Sequence, residues 1–533
     1  MSKKSTMKGF VVGAAVTASL AMSMSAYADT IQKQIAVTYD DIIVKLNGQE
    51  TALKDATGAK VEPFIYNGTV YLPARAISEA VGLSASYDKT TKTVSLTSSG
   101  ESVSTDGKTG TPPEGTPATG TGSSTDSTVD ASSLGSATYL LSGSTAAKTG
   151  DTISATAMGA SAVKVTDSGN LTLNGVTLNK TGNTSSEDNS NFYGLNAALL
   201  ATAGSTITLN DSTVSTAATG SNAVFATGAG STVNVSGVTI NTTADSSRGL
   251  DATYSGTVNA TNTNITTSGT HSASIATDRG NGTVNVTGGT MNTTGTDSPG
   301  IYSTGNITVT NALLTATGSE AAVIEGKNSI TLNNTNLSGA KKSGVMLYQS
   351  FSGDAEVGTS TFNMTGGSLA AYAGPLFYAT NTDAVINLKN AGLTAASGIL
   401  LNAAADQWGT AGANGASVTL NASAQPLTGD VTADSISSVA VVLSNGSSLS
   451  GAIDNANTAK SASLTLDANS TWNVTGDSYL SALISSVADF SNIQDNGYDI
   501  YYDASASANS WLGGQTYYLA NGGLLTPAVN SGG

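Results

Sequence analysis

From about residue 136 the chain repeats one short pattern, two apolar residues flanking a polar one, returning roughly every 25 positions. The pairs are Leu171/Leu173, Ile207/Leu209, Val233/Val235, Val258/Ala260, Val284/Val286 and Ile307/Val309. They continue at Ile330/Leu332, Phe362/Met364, Ile386/Leu388, Val418/Leu420, Val441/Leu443 and Leu464/Leu466. Alternation with period two marks a strand with one buried side. Most repeats add a second such strand, as at 176–178 or 238–240, and a third, as at 300–304. After the first strand stands Asp211, Gly237, Asn262, Gly288, Asn311, Asn334, Gly366 or Asn390, residue types that tolerate a left-handed corner. Three short strands per turn, closed by such corners, predict a mainly β chain built as a long right-handed parallel β-helix, a solenoid, over 136–469. About thirteen turns at one strand spacing each would make a rod of roughly 60 Å. Leucine-rich repeats need a Leu-x-x-Leu-x-Leu frame and propellers need longer blades, so neither fits.

Composition narrows the chemistry. Only 11% of the residues are charged, against roughly 25% in ordinary domains, and 60 are glycine. There is no cysteine and a single histidine, His271. Disulfides, thiol nucleophiles, Cys-type zinc sites and multi-His metal centres are thereby excluded, and no cofactor is expected. A formal charge of −16 argues against nucleic acid, which needs clustered Lys and Arg.

The N-terminus reads as an export signal. Lys3, Lys4 and Lys8 precede an apolar run from Phe10 to Met24, and Ala26-Tyr27-Ala28 is a small-x-small cleavage site. Residues 1–28 are therefore assigned to a signal peptide rather than a membrane anchor, for which the run is short and interrupted. No later segment is long and apolar enough for a transmembrane anchor. Residues 29–97 differ in texture from the rest, with turns at Asn47-Gly48 and Asn67-Gly68, a short helix over 74–81 ending at Gly82, and a hairpin over 84–96. Residues 98–135 form a Gly/Ser/Thr/Pro linker.

The string from Asn67 through Val70-Tyr71-Leu72-Pro73-Ala74-Arg75-Ala76-Ile77 to Gly82, followed by Ser86-Tyr87-Asp88, closely resembles the copper amine oxidase N-terminal-like stalk domain over 31–97. The resemblance implies a small α+β attachment module of secreted envelope proteins, with Pro73 and Arg75 as structural residues. Copper and quinone chemistry belongs to a separate domain rich in histidine, and this chain has one histidine. The repeats from 136 onward resemble the pectin-lyase-like superfamily, in its adhesin rather than its enzyme form. Residues 470–533 gather Trp472, Tyr479, Phe490, Tyr501, Tyr502, Trp511, Tyr517 and Tyr518, which reads as an aromatic-rich cap over the open end of the solenoid.

Two features rise above scaffold. Aligning third strands on small residues gives the columns Val224, Leu250, Ser274, Ile301, Val323, Val345, Pro375, Ile399 and Phe225, Asp251, Ile275, Tyr302, Ile324, Met346, Leu376, Leu400. Neighbouring residues point to opposite sides, so one column faces outward as an apolar ladder unless a loop covers it. The two long turns after Ile330 and Ile386 also insert loops beside that ladder, with Phe351, Asp354 and Glu356 in one and Asp406 and Trp408 in the other. Aromatics beside acids stack on sugars and hydrogen-bond them. Met346, Tyr348, Phe351, Leu376, Tyr378, Leu400 and Trp408 are therefore the expected partner-binding residues. No catalytic, metal or cofactor-binding residue is assigned, because Arg248 and Arg279 stand alone without an Asp-Asp pair or Gly-His-Gly motif. The expectation is a secreted, cell-envelope-associated, non-catalytic adhesin or structural surface protein. It would present a β-helix face to an envelope component or an extracellular glycan or protein, with self-association as another use of that face. The alternative is a polysaccharide-active β-helix enzyme, a lyase or hydrolase.

Overall fold

The computed structural model describes residues 133–528 apart from Phe351, and the segments 37–40, 42–46, 49–50, 53, 60–66, 69–80, 83–88 and 93–98. Residues 1–28, expected to be a signal peptide, the body of the linker and the expected turns at Asn47-Gly48 and Asn67-Gly68 lie outside the described residues. The chain divides into two units near residue 120.

In the first unit Phe64–Tyr66 pairs antiparallel with Thr69–Tyr71, and the Phe64 and Tyr71 rings stack at 5.4 Å. The helix follows at Ala74–Ala80, with Ala76 buried and the Ile77 N–H donating to the Pro73 carbonyl. Leu83–Asp88 and Thr93–Ser98 form the expected hairpin.

The second unit is a parallel β-solenoid beginning at Ala137. Each coil contributes one strand to three faces, here called first, second and third in the order used above. The first and second faces merge into one continuous sheet, and the third face is a separate twelve-stranded sheet. On the first face the inward column Leu171, Ile207, Val233, Val258, Val284, Ile307, Ile330, Phe362, Ile386 runs in register and is almost wholly buried. All eight corner residues named above adopt positive φ, from 47° at Asn334 to 70° at Gly288. Corners this tight let the apolar pairs of successive coils stack directly on one another. One pairing differs from the sequence pattern: Ile386 meets Leu420, not Val418. A slip of two residues leaves the same side chains inward, so the core is unaffected.

The coils do not stop at 469. Thr471–Asn473 pairs parallel with Ser448–Ser450, and Ser478–Leu480, Ile500–Tyr502 and Leu524–Pro527 continue the stacking. The solenoid reaches about 16 turns. Trp472 and Tyr502 are fully buried inside these last coils, so much of the aromatic-rich stretch fills core rather than sitting over it. Only Tyr517–Tyr518 turns back, antiparallel to Leu524 and Leu525, at the end of the sheet.

Three excursions leave the regular coil, and all border the third face. The first carries a helix at Glu187–Tyr193, with Ser186 capping its start through the Asn189 N–H and Gly194 closing it at φ 72°. A Cβ on Gly194 would lie 2.6 Å from Leu200 Cδ1 and 2.7 Å from Phe225 Cδ1, which is how closely the helix end approaches the sheet. The other two follow Val345–Tyr348 and Ile399–Ala403, where the long turns place them.

Candidate functional site

The third face decides which of the expected binding residues are available. Its true register aligns Val224, Leu250, Ile275, Ile301, Ala322, Val345, Phe377 and Leu401 as the inward column. Beside it Phe225, Asp251, Ala276, Tyr302, Val323, Met346, Tyr378 and Asn402 point outward. The small residues that open each strand are not equivalent positions, and a β-bulge between Ile399 and Leu401 shifts the count again. Leu376 and Leu400, expected outward, are therefore fully buried core residues. There is no continuous outward apolar ladder: the column mixes Lys164, Asp251 and Asn402 with apolar residues. Phe351 lies outside the described residues.

The remaining four expected residues do come together. Met346 and Tyr378 are neighbours in register and half-buried. Tyr348, one outward position further, packs its ring 5.2 Å from that of Trp408. The Tyr378 hydroxyl donates to Asp406 Oδ2 at 2.9 Å, and burial, helped by that carboxylate, pushes the phenol above its ordinary value. The second insertion is thus folded back over the third face, with Asn414 Nδ2 donating to the Asp406 and Trp408 carbonyls to hold its shape.

Nearer the N-terminus the outward side of the third face is closed over. Helix 187–193 lies across Leu200 and Phe225, which with Ala197 form a small apolar cluster apart from the main core. Around it stands a charged network. Arg248 grips Asp278 through two contacts, Nε to Oδ2 at 2.9 Å and Nη2 to Oδ1 at 3.2 Å, and also reaches Asn191 of the helix. Asp251 is wholly buried beside them. Burial, then the adjoining Asp278, push its carboxyl well above its ordinary value. Arg279 sits 3.8 Å over the Phe192 ring and pairs with Asp354 of the first insertion. Tyr193 and Tyr254 stack at 5.2 Å, and burial pushes the Tyr254 phenol to about 12. Glu325, also buried, accepts from Tyr302 at 2.7 Å, from Tyr348 at 2.9 Å and from Ser350 of the insertion.

Carboxylates, arginines and tyrosines on one face are the raw material of acid–base chemistry. Arg248, Asp251 and Asp278 are each less than a tenth exposed, however, and a polymer has no route to them while the helix is seated. In this arrangement Arg248 fastens the helix to the sheet through Asn191 and Asp278, while Arg279 and Glu325 hold the first insertion. Among the described residues no group of three or more His, Cys, Asp or Glu is placed to hold a metal ion. Sequence reading named Arg248 and Arg279 as standing alone and could not find their partners. Asn191, Asp251 and Asp354 lie up to 75 residues away along the chain.

An open cleft of about 620 Å³ lies on the other side of the insertions, at the corner where the third face turns into the first. Gln349 and Gly358 line it from the first insertion, Gly412 and Ala413 from the second, and Asp383, Ser417, Ser438 and Lys460 from the solenoid. It escaped the sequence because it is made of residues from four coils, none of which forms a motif.

The family model for the copper amine oxidase N-terminal domain matches residues 21–96 and 55–111. No curated protein and no solved structure matches the chain.

Proposed function

We propose that this protein is a secreted, envelope-associated, non-catalytic binding protein, in which the N-terminal module and linker serve attachment and the solenoid presents a glycan-binding surface. The observation that carries this reading is the grouping of Trp408, Tyr348, Tyr378 and Met346 with Asp406 where the second insertion folds onto the third face, beyond the reach of the helix. Tyr348 is buried against Trp408, while the half-buried rings of Trp408 and Tyr378 beside Asp406 suit the apolar and hydroxyl sides of a sugar ring. The match to the copper amine oxidase N-terminal domain supports the attachment role, and a solenoid with few charges resembles the adhesin-type members of the pectin-lyase-like superfamily.

The test is a glycan-array screen of the mature protein against the Phe351→Ala, Trp408→Ala double variant. Aromatic anchors at binding sites typically contribute about 2 kcal/mol or more on truncation, so binding should be lost while circular dichroism is unchanged. A double variant that binds like the parent would sink the reading. The polysaccharide-active alternative has one observation in its favour, the Arg248–Asp251–Asp278 cluster. New reducing or unsaturated ends released from a polysaccharide by the intact chain, and not by Asp251→Asn, would replace the binding reading with a catalytic one.

A further inference from the structure

The cleft between the insertions carries two charges that the fold itself does not use. Asp383, Ser417, Ser438 and Ser461 head successive first-face strands in direct register, and Lys460 adjoins the last of them. Asp383 and Lys460 are thus three coil steps apart along the solenoid, about 14 Å. Both side chains are exposed, and neither has an ion-pair or hydrogen-bond partner among the described residues. Arg248, Arg279, Lys327 and Lys342, by contrast, each hold a carboxylate.

The wall between the two charges is uncharged and sets polar groups beside the apolar Ala416 and Ile436. Thr382, Ser417 and Ser438 bring hydroxyls to it, and Gln349 brings an amide. Gln349 is 9% exposed and its Oε1 has no hydrogen-bond partner. A buried acceptor in that state is costly, and a ligand hydroxyl or N–H would relieve it. The backbone of the wall is already paired coil to coil, with the Ser417 N–H on the Thr382 carbonyl and the Ser438 N–H on the Ala416 carbonyl. It offers no open strand edge to a peptide. A single lysine on a chain of net charge −16 does not favour a polyanion, and a neutral glycan would leave both charges unused.

We propose that this cleft binds a linear amino-sugar chain that also bears carboxylates, lying along the solenoid axis with a free ammonium at Asp383 and a carboxylate at Lys460. The inference rests on the glycan-binding reading and names the class of glycan.

Calorimetry on the full chain tests it with four probes. These are a de-N-acetylated hyaluronan hexasaccharide, which alternates glucosamine and glucuronate, an oligoglucosamine, an oligoglucuronate, and a tetrapeptide with free termini, which spans the same distance when extended. The zwitterionic hexasaccharide should bind best. Asp383→Asn and Lys460→Gln should each weaken it about tenfold, the worth of one charge-assisted hydrogen bond, with melting unchanged because both side chains are exposed. Tighter binding of the tetrapeptide, or hexasaccharide binding indifferent to both substitutions, overturns the inference. If the hexasaccharide fails while other glycans still bind and are lost in Trp408→Ala, the cleft inference falls and the broader reading stands. If no glycan binds at all, both fall.

Discussion

The first and third faces of the solenoid are made of similar short strands, yet their outward sides have opposite characters. Outward positions on the first face repeat from coil to coil: Thr206, Thr232, Thr257 and Thr283 in one column, and Thr208, Asn234, Asn259 and Asn285 in the next. The amides form ladders, with Asn259 donating to Asn234 and Asn285 to Asn259, both at 3.0 Å. On the third face the outward column reads Lys164, Leu200, Phe225, Asp251, Ala276, Tyr302, Val323, Met346, with no repetition at all. The difference lies in what each face meets. A face whose neighbours are only the coils above and below can use the same residue at every level. The third face also meets a helix and two insertions, and each level has to fit a different piece of them.

The largest effect that would sharpen this contrast comes from the network under the helix. Asp278→Asn leaves Arg248 buried without its carboxylate, and breaking a buried pair typically costs about 3 kcal/mol or more. Urea unfolding should show that loss, and a change under 1 kcal/mol would mean that the network does not fasten the helix. Next comes the register itself. Leu400→Ala should cost about 3 kcal/mol, as for other buried leucines, whereas Met346→Ala, half-buried and outward, should cost less than about 1 kcal/mol. Similar losses would break the distinction between inward and outward positions on which the site assignment depends.

A smaller effect is expected from pH. The Asp251 carboxyl is raised above its ordinary value of 3.8 by burial and then by Asp278. The folded chain therefore keeps a proton that the unfolded chain releases. Its stabilising effect is fully present below the ordinary carboxylate value and is lost as pH rises through the raised folded value. Asp251→Asn, neutral at every pH, should flatten that decline in melting temperature; an unchanged pH profile would assign the decline to other groups. The smallest effect belongs to the first face. Asn259→Ala removes two exposed or half-buried amide links and should cost about 1 kcal/mol or less, read by the same unfolding midpoint.

The two faces also differ in how far they were legible. On the first face the apolar pairs stand at a constant distance from a corner residue with positive φ, so parity survives even the slip at Val418. The third face has no such fixed corner. Aligning it on small residues misplaced Ser274 for Ile275 by one position, and Pro375 for Phe377 by two. It also put Leu376 and Leu400 outside when they belong to the core. Period two is unforgiving of a single extra residue, because one step exchanges the two sides of a strand. Tyr348, Tyr378 and Trp408 still lie together, since the long turns that bring them there are visible as extra chain length.

The sequence by itself determined the solenoid, its corners and the places where chain is inserted, because these follow from local alternation, residues that tolerate positive φ, and counting. It also excluded thiol and multi-histidine chemistry by composition alone. Only the tertiary structure decided which side of the third face is covered, that Arg248, Asp251 and Asp278 meet beneath a helix, and that Asp383 and Lys460 share a cleft. Each of those contacts joins residues from different coils. In a solenoid, distance along the axis depends on how many coils intervene, and distance across a coil depends on register, so neither can be read from spacing along the chain.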